Sequence, residues 1–162
     1  MTAPVFALDR VFDAPREQVF QAHAELDRLS QWWGPKGFAW VEGKLDFRPG
    51  GLFHYRMRAP NGADMWGRFA YREIAAPGRI VFLNAFSDPS GAAVRAPFAA
   101  GWPLEVENTL TLEDLGGRTR LSLRGTPHAA SPEECALFGS FEASMAAGFG
   151  GTLDQLADYL AR

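Results

Sequence analysis

The sequence predicts an α+β fold: a curved antiparallel sheet of about six to seven strands wraps a long C-terminal helix around an apolar cavity. Three observations carry this expectation. Between Phe38 and Gly125 the hydrophobic pattern has a period of two and turn signals recur, as in a meander of strands. From Ser131 onward the spacing changes to three and four over a stretch long enough for one long helix. The strands also come as a block instead of alternating with helices, which is the order of an α+β chain and not of a parallel α/β one.

The elements follow in order. Val5 to Asp13 is mostly apolar and reads as a strand; Asp13-Ala14-Pro15 then opens a short helix from Arg16, with Pro15 in its first turn. Spacing predicts a second short helix over Asp27 to Trp33, ended by Gly34-Pro35 because proline disfavours helical geometry in the residue before it. Strands are predicted over Phe38 to Phe47, Leu52 to Arg58, Met65 to Ile74 and Arg79 to Phe86. They are separated by Arg48-Pro49-Gly50-Gly51, Pro60-Asn61-Gly62 and Ala76-Pro77-Gly78. Ser87 to Pro103, rich in Ala, Gly, Pro and Ser, reads as a loop. Leu104 to Leu112 alternates cleanly, and Gly116-Gly117 turns into a last strand over Thr119 to Gly125. Ser131-Pro132-Glu133-Glu134 is a capping-box pattern. It starts a stripe of Phe138, Phe141, Met145, Phe149, Leu153, Leu156 and Leu160 on one helix face. A sheet apolar on one side needs a cover, and this helix is the only element long enough to provide it.

Composition narrows the function classes. The chain has 162 residues, enough for one domain with a core of its own, and 1–162 is read as a single unit. A formal net charge of −3 and no basic stripe argue against nucleic-acid binding. The single cysteine, Cys135, excludes an internal disulfide and fits a reducing, cytoplasmic setting. Met1-Thr2-Ala3-Pro4 shows no secretory pattern, and no apolar run approaches the ~20 residues of a membrane span. The 13 Phe, 5 Trp and 3 Tyr are enough to fill a core and line a pocket as well.

Several segments, in order, resemble a known family. They are Phe12-Asp13-Ala14-Pro15-Arg16-Glu17-Gln18-Val19-Phe20, Trp32-Trp33-Gly34-Pro35 with Gly37-Phe38, and Asp46-Phe47-Arg48-Pro49-Gly50-Gly51. Tyr71-Arg72-Glu73-Ile74, Leu115 to Leu121 and Gly151 to Leu160 continue the series over nearly the whole chain. The set is similar to the activator-of-heat-shock-chaperone-ATPase (AHSA-like) branch of the START/SRPBCC superfamily (polyketide cyclase, Bet v 1-like). The resemblance implies a helix-grip fold with a cavity between sheet and C-terminal helix, often in a homodimer. It implies a small hydrophobic ligand, lipid- or polyketide-like, in some members its cyclisation or dehydration, and in others contact with a chaperone. It implies no shared catalytic motif and no cofactor. Where relatives often carry a Gly-Trp pair in the last helix, this chain has Gly148-Phe149-Gly150-Gly151.

Read from the residues, the candidate lining is Trp33, Phe53, Tyr55, Met57, Phe69, Tyr71, Asn108, Leu110, Phe141, Met145 and Phe149. Trp32 and Trp33 either form a cavity mouth or anchor the short helices to the sheet. Asn108, between Val106 and Leu110 on an apolar face, bonds either a neighbouring backbone group or a ligand; Asn84 is a second candidate of undecided facing. Gly148-Phe149-Gly150-Gly151 marks either a kink or break in the helix or a thin spot facing a ligand. His23, His54 and His128 lack metal spacing, so no metal site is expected. A binding protein is the leading expectation. A cyclase or dehydratase would need Tyr55, Tyr71 or His23 as its titratable group, and a chaperone-interacting module rests on the resemblance alone.

Overall fold

The structure, a computed structural model, describes residues 4–162; Met1 to Ala3, read above for a leader sequence, lie outside the described residues. Among the described residues, eight strands form one antiparallel sheet. They are β1 (Phe6–Phe12), β2 (Ala39–Leu45), β3 (Leu52–Arg58), β4 (Asp64–Ala75), β5 (Arg79–Ser87), β6 (Ala93–Val94), β7 (Glu105–Asp114) and β8 (Thr119–His128). The order is β1-β8-β7-β5-β4-β3-β2, with the two-residue β6 paired to the end of β5. Two short helices, α1 (Arg16–Ala24) and α2 (Leu26–Leu29), follow β1, and α3 (Pro132–Ser140) and α4 (Glu142–Leu160) close the chain.

The inner sheet face and the helices share one core. Phe12, Val19, Ala22, Leu29, Phe53, Met57, Leu121, Phe138 and Leu156 are all buried in it. Full burial of each large apolar side chain contributes about 1.5–3 kcal/mol. Thr119, fully buried at the start of β8, donates its hydroxyl to the Ala14 carbonyl at 2.8 Å and fixes where β1 hands over to α1.

Four boundaries differ from the sequence expectation, each for a local reason. The second helix ends at Leu29, not Trp33, because Trp32 turns inward and donates its indole N–H to the Ala22 carbonyl at 3.0 Å. The segment expected to be all loop contains β6, paired with Phe86 and Ser87. The last strand runs on to His128, which pairs with Glu105, so His128 is a strand end and not a loop residue.

The fourth difference matters most for the site. The C-terminal helix is two helices, and the break is at Phe141 (φ −98°, ψ 13°). The glycine segment does not break it: α4 is continuous through Gly148 to Gly151. No described helix is long and apolar enough to cross a membrane.

The predicted capping box is formed at α3. Ser131 Oγ accepts from the Glu134 backbone N–H at 3.1 Å, and Glu134 Oε1 accepts from the Ser131 backbone N–H at 2.9 Å. Those bonds and the neighbouring Arg95 hold the Glu134 carboxyl below its ordinary range. Ser131→Ala should lower unfolding stability by about 1 kcal/mol, measured by chemical denaturation at neutral pH.

Candidate functional site

Register decides which side chains share the inner face, because residues paired across antiparallel strands point the same way. One row reads Phe53, Phe69, Asn84, Val106; the next reads Tyr71, Phe82, Asn108, Gly125, Phe6. On the other side of the first row lie Tyr55, Gly67 and Phe86. Asn84, ambiguous in sequence, therefore faces inward.

Between this face and the helices lies a cavity of about 430 Å³. Its floor is sheet, including Phe6, Tyr55, Asn84, Val106 and Asn108. One wall is the end of α3 and the first half of α4, with Phe138, Phe141, Met145 and Phe149. Another wall is the strap of residues 88–104, which brings Phe98 and Trp102. Phe98 stacks on Phe141 at 5.9 Å, and Trp102 packs on Phe138 and Phe141 at 5.4 and 5.3 Å. An ion pair from Arg95 to Glu134 ties the strap to the start of α3. The cavity opens to solvent beside Ser144, Gly148 and Phe98, the last of which is 55% exposed.

The second half of α4 holds the site in shape. Thr152 Oγ1 donates to the Gly34 carbonyl at 2.9 Å, and Gln155 Nε2 donates to the carbonyls of Trp32 and Gly34 at 3.0 and 2.8 Å. Asp154 pairs with Arg10 of β1 at 2.7 Å and with Lys36 at 2.8 Å, and both partners hold its carboxyl below the ordinary range. Gly34 has φ +115°, which disfavours any other residue, and lies so close to the Met57 thioether that a Cβ there would force that side chain aside. The turn is thus pressed onto the sheet, and Trp33 is set edge-on to Tyr55 and Phe69 at 5.9 and 5.0 Å.

Of the residues expected to line a cavity, Trp33, Tyr55, Asn108, Phe141, Met145 and Phe149 do so. Phe53, Met57, Phe69, Tyr71 and Leu110 do not. They face inward as alternation required, but Phe53 and Met57 are wholly buried core, and Phe69, Tyr71 and Leu110 border only a separate void of about 20 Å³. Trp33 borders both spaces and is the partition between them. Trp32 is an anchor and Trp33 a wall, so the two readings of the pair divide between its members. Sequence reasoning missed Phe6, Phe86, Phe98, Trp102 and Thr152, and named Asn84 without deciding which way it faces. Phe98 and Trp102 had one signal, two aromatics inside an otherwise small-residue loop.

The chemistry of the lining is mostly neutral and apolar. Among the described residues, the cavity is lined by no Asp, Glu, His, Lys or Arg. Its one titratable side chain is Tyr55, whose phenol burial pushes up to about 12, opposed by the adjacent Trp33 indole. That indole N–H completes no well-formed hydrogen bond. Tyr71, pushed up by burial and by neighbouring Tyr55, and His23 border the small void across Trp33. Of the three candidate groups for acid–base chemistry, only Tyr55 reaches the cavity, and at neutral pH it holds its proton.

These findings can be set beside known proteins. A family model described as "Activator of Hsp90 ATPase homolog 1-like protein" matches residues 13–161. The chain belongs to this family. The family places it in the AHSA-like branch of the START/SRPBCC superfamily, and membership supports a ligand-binding or regulatory domain. Among solved structures, the chain is similar to a protein from Arthrobacter aurescens at 27% identity and a TM-score of 0.80, over 98% of this chain and 87% of that one. It is also similar to a Chromobacterium violaceum protein at 28% identity and a TM-score of 0.71, over 98% and 97% of the two chains. An Activator of Hsp90 ATPase homolog 1 protein from Silicibacter pomeroyi, at 21% identity and a TM-score of 0.75 over 98% of both chains, shares the fold. No curated protein matches the chain.

His23 gives the site region a pH signature. Its Nδ1 donates to the Val19 carbonyl at 2.8 Å, its ring packs edge-on to Trp32 at 4.8 Å, and burial pushes its pKa down to about 4. The unfolded chain, with an ordinary histidine near 6.5, takes up this proton first as pH falls. Stability from neutral His23 is therefore full above pH ~6.5 and is lost progressively down to about 4. His23→Leu should remove about 2 kcal/mol of the stability difference between pH 7 and 4.5, measured by urea denaturation of both proteins at each pH.

Proposed function

We propose that this protein binds a small hydrophobic, largely aromatic molecule in the cavity between the sheet and the first half of α4. The observation that carries the reading is the cavity itself: about 430 Å³, open to solvent and walled by phenylalanine, tryptophan and methionine. Its volume falls within the roughly 300–1,000 Å³ of small-molecule sites, and three of its polar side chains, Tyr55, Asn84 and Asn108, share the sheet floor. Apolar burial supplies affinity, and aromatic walls favour flat partners through edge and face contacts.

Gly148 offers a direct test because it lies at the mouth and a Cβ built there meets nothing within 4 Å. Gly148→Leu should hold or raise stability by up to about 1 kcal/mol, since glycine is the poorer helix former. The same leucine should obstruct the mouth and weaken binding of the neutral dye Nile red by about tenfold, or 1.4 kcal/mol, in a fluorescence titration. With Tyr55 held near 12, wild-type binding should be flat from pH 7 to 9. Undiminished dye binding by a stable Gly148→Leu protein would place the dye elsewhere and remove the support for this reading.

A further inference from the structure

We propose that the cavity selects an uncharged planar molecule with an oxygen function toward each end, read by a diagonal polar line of Tyr55, Asn84 and Asn108 on the sheet floor. The proposal rests on the cavity-binding reading above and names its ligand class.

The line follows from register and from two glycines. Tyr55 on β3 leans across to β4, where its hydroxyl lies over Gly67 so closely that no Cβ fits beneath it. Asn84 stands on β5, diagonal to Gly67. Asn108 on β7 leans across to β8, where its Oδ1 would lie 2.8 Å from a Cβ at Gly125. Three polar groups thus cross β4, β5, β7 and β8, a span of roughly 14 Å at ~4.8 Å per strand. Both glycines sit where a strand residue would otherwise fill the floor, and both make room for a polar group.

The protein engages these groups only weakly. The Asn84 amide has no side-chain hydrogen bond among the described residues, although the residue faces the cavity. Asn108 is 3% exposed, and its one such bond, Nδ2 to the Val106 carbonyl, is 3.4 Å long. By contrast Thr152, also on the lining, is committed to the Gly34 carbonyl. Amides that can donate and accept, beside a phenol that can do both, match hydroxyl or carbonyl oxygens. The uncharged lining excludes a carboxylate or phosphate, which would lose its water and gain no cation in return.

The test is calorimetric titration of the full chain with four probes: naphthalene, a dihydroxynaphthalene with one hydroxyl on each ring, naphthoate, and methyl naphthoate. The dihydroxy compound should bind at least about tenfold tighter than naphthalene, and naphthoate at least about tenfold weaker than its methyl ester. Asn84→Leu and Asn108→Leu should each weaken the dihydroxy compound about tenfold while naphthalene stays within about twofold. Equal binding of naphthalene and the dihydroxy compound, or of naphthoate and its ester, would overturn the proposal and leave the cavity-binding reading standing. So would leucine variants that bind all probes as wild type does. Failure of every probe to bind would overturn both. Should a leucine variant not fold, the ranking of probes on the wild-type protein decides the matter alone.

Discussion

The site depends on the way α4 is fastened at one end only. Thr152 and Gln155 hold the carbonyls of the 32–34 turn, and Asp154 holds Arg10 and Lys36, all within one turn of helix. Leu153 and Leu156 are buried under the same turn. Among the described residues, the first half of α4 has no comparable anchor: Ser144 and Gly148 are exposed, and Met145 and Phe149 are half-buried at the cavity wall. A helix gripped along its whole length would press its stripe into the sheet. Gripped at its end, it roofs a space. The exposed ion pairs in this clamp add little individually, and the buried bonds to backbone carbonyls carry the constraint.

The break at Phe141 completes the arrangement. Because α3 ends there, Phe138 enters the core while Phe141 is released to meet Phe98 and Trp102 of the strap. The strap is held in turn by β6 pairing and by Arg95 to Glu134, the residue that also closes the α3 capping box. One carboxylate therefore couples the start of α3 to the aromatic rim of the mouth. The mouth beside Gly148 lies on the unclamped half of α4, while the clamped end holds Trp33 as the partition between cavity and core.

Much of the fold was legible in the sequence, because strand period, turn residues and the capping box are local signals. Leu52–Arg58 shows it: Phe53, Tyr55 and Met57 face inward as alternation required. The cavity was legible only by face, not by depth. Alternation cannot say that Phe53 and Met57 end in solid core while Tyr55 between them reaches open space, since that depends on where Trp33 and α4 cover the sheet. Asn84 could not be assigned from a strand apolar on both sides, and only pairing with Phe69 and Val106 fixes its direction. The helix break leaves no sequence signal because Phe138, Phe141 and Met145 keep helical spacing across it. The glycines drew attention in its place, yet a helix packed at its far end tolerates them, at about 1 kcal/mol each relative to alanine.

The central claim is that an uncharged molecule sits on the sheet floor between Tyr55 and Asn108. Backbone amide NMR during titration with the dihydroxynaphthalene tests it most directly. The account predicts saturable shifts centred on Trp33, Tyr55, Asn84, Asn108, Gly125 and Phe149, with the outer-face residues His54 and Arg72 unmoved. Shifts centred on His54 and Arg72, or none at saturating probe, would contradict it.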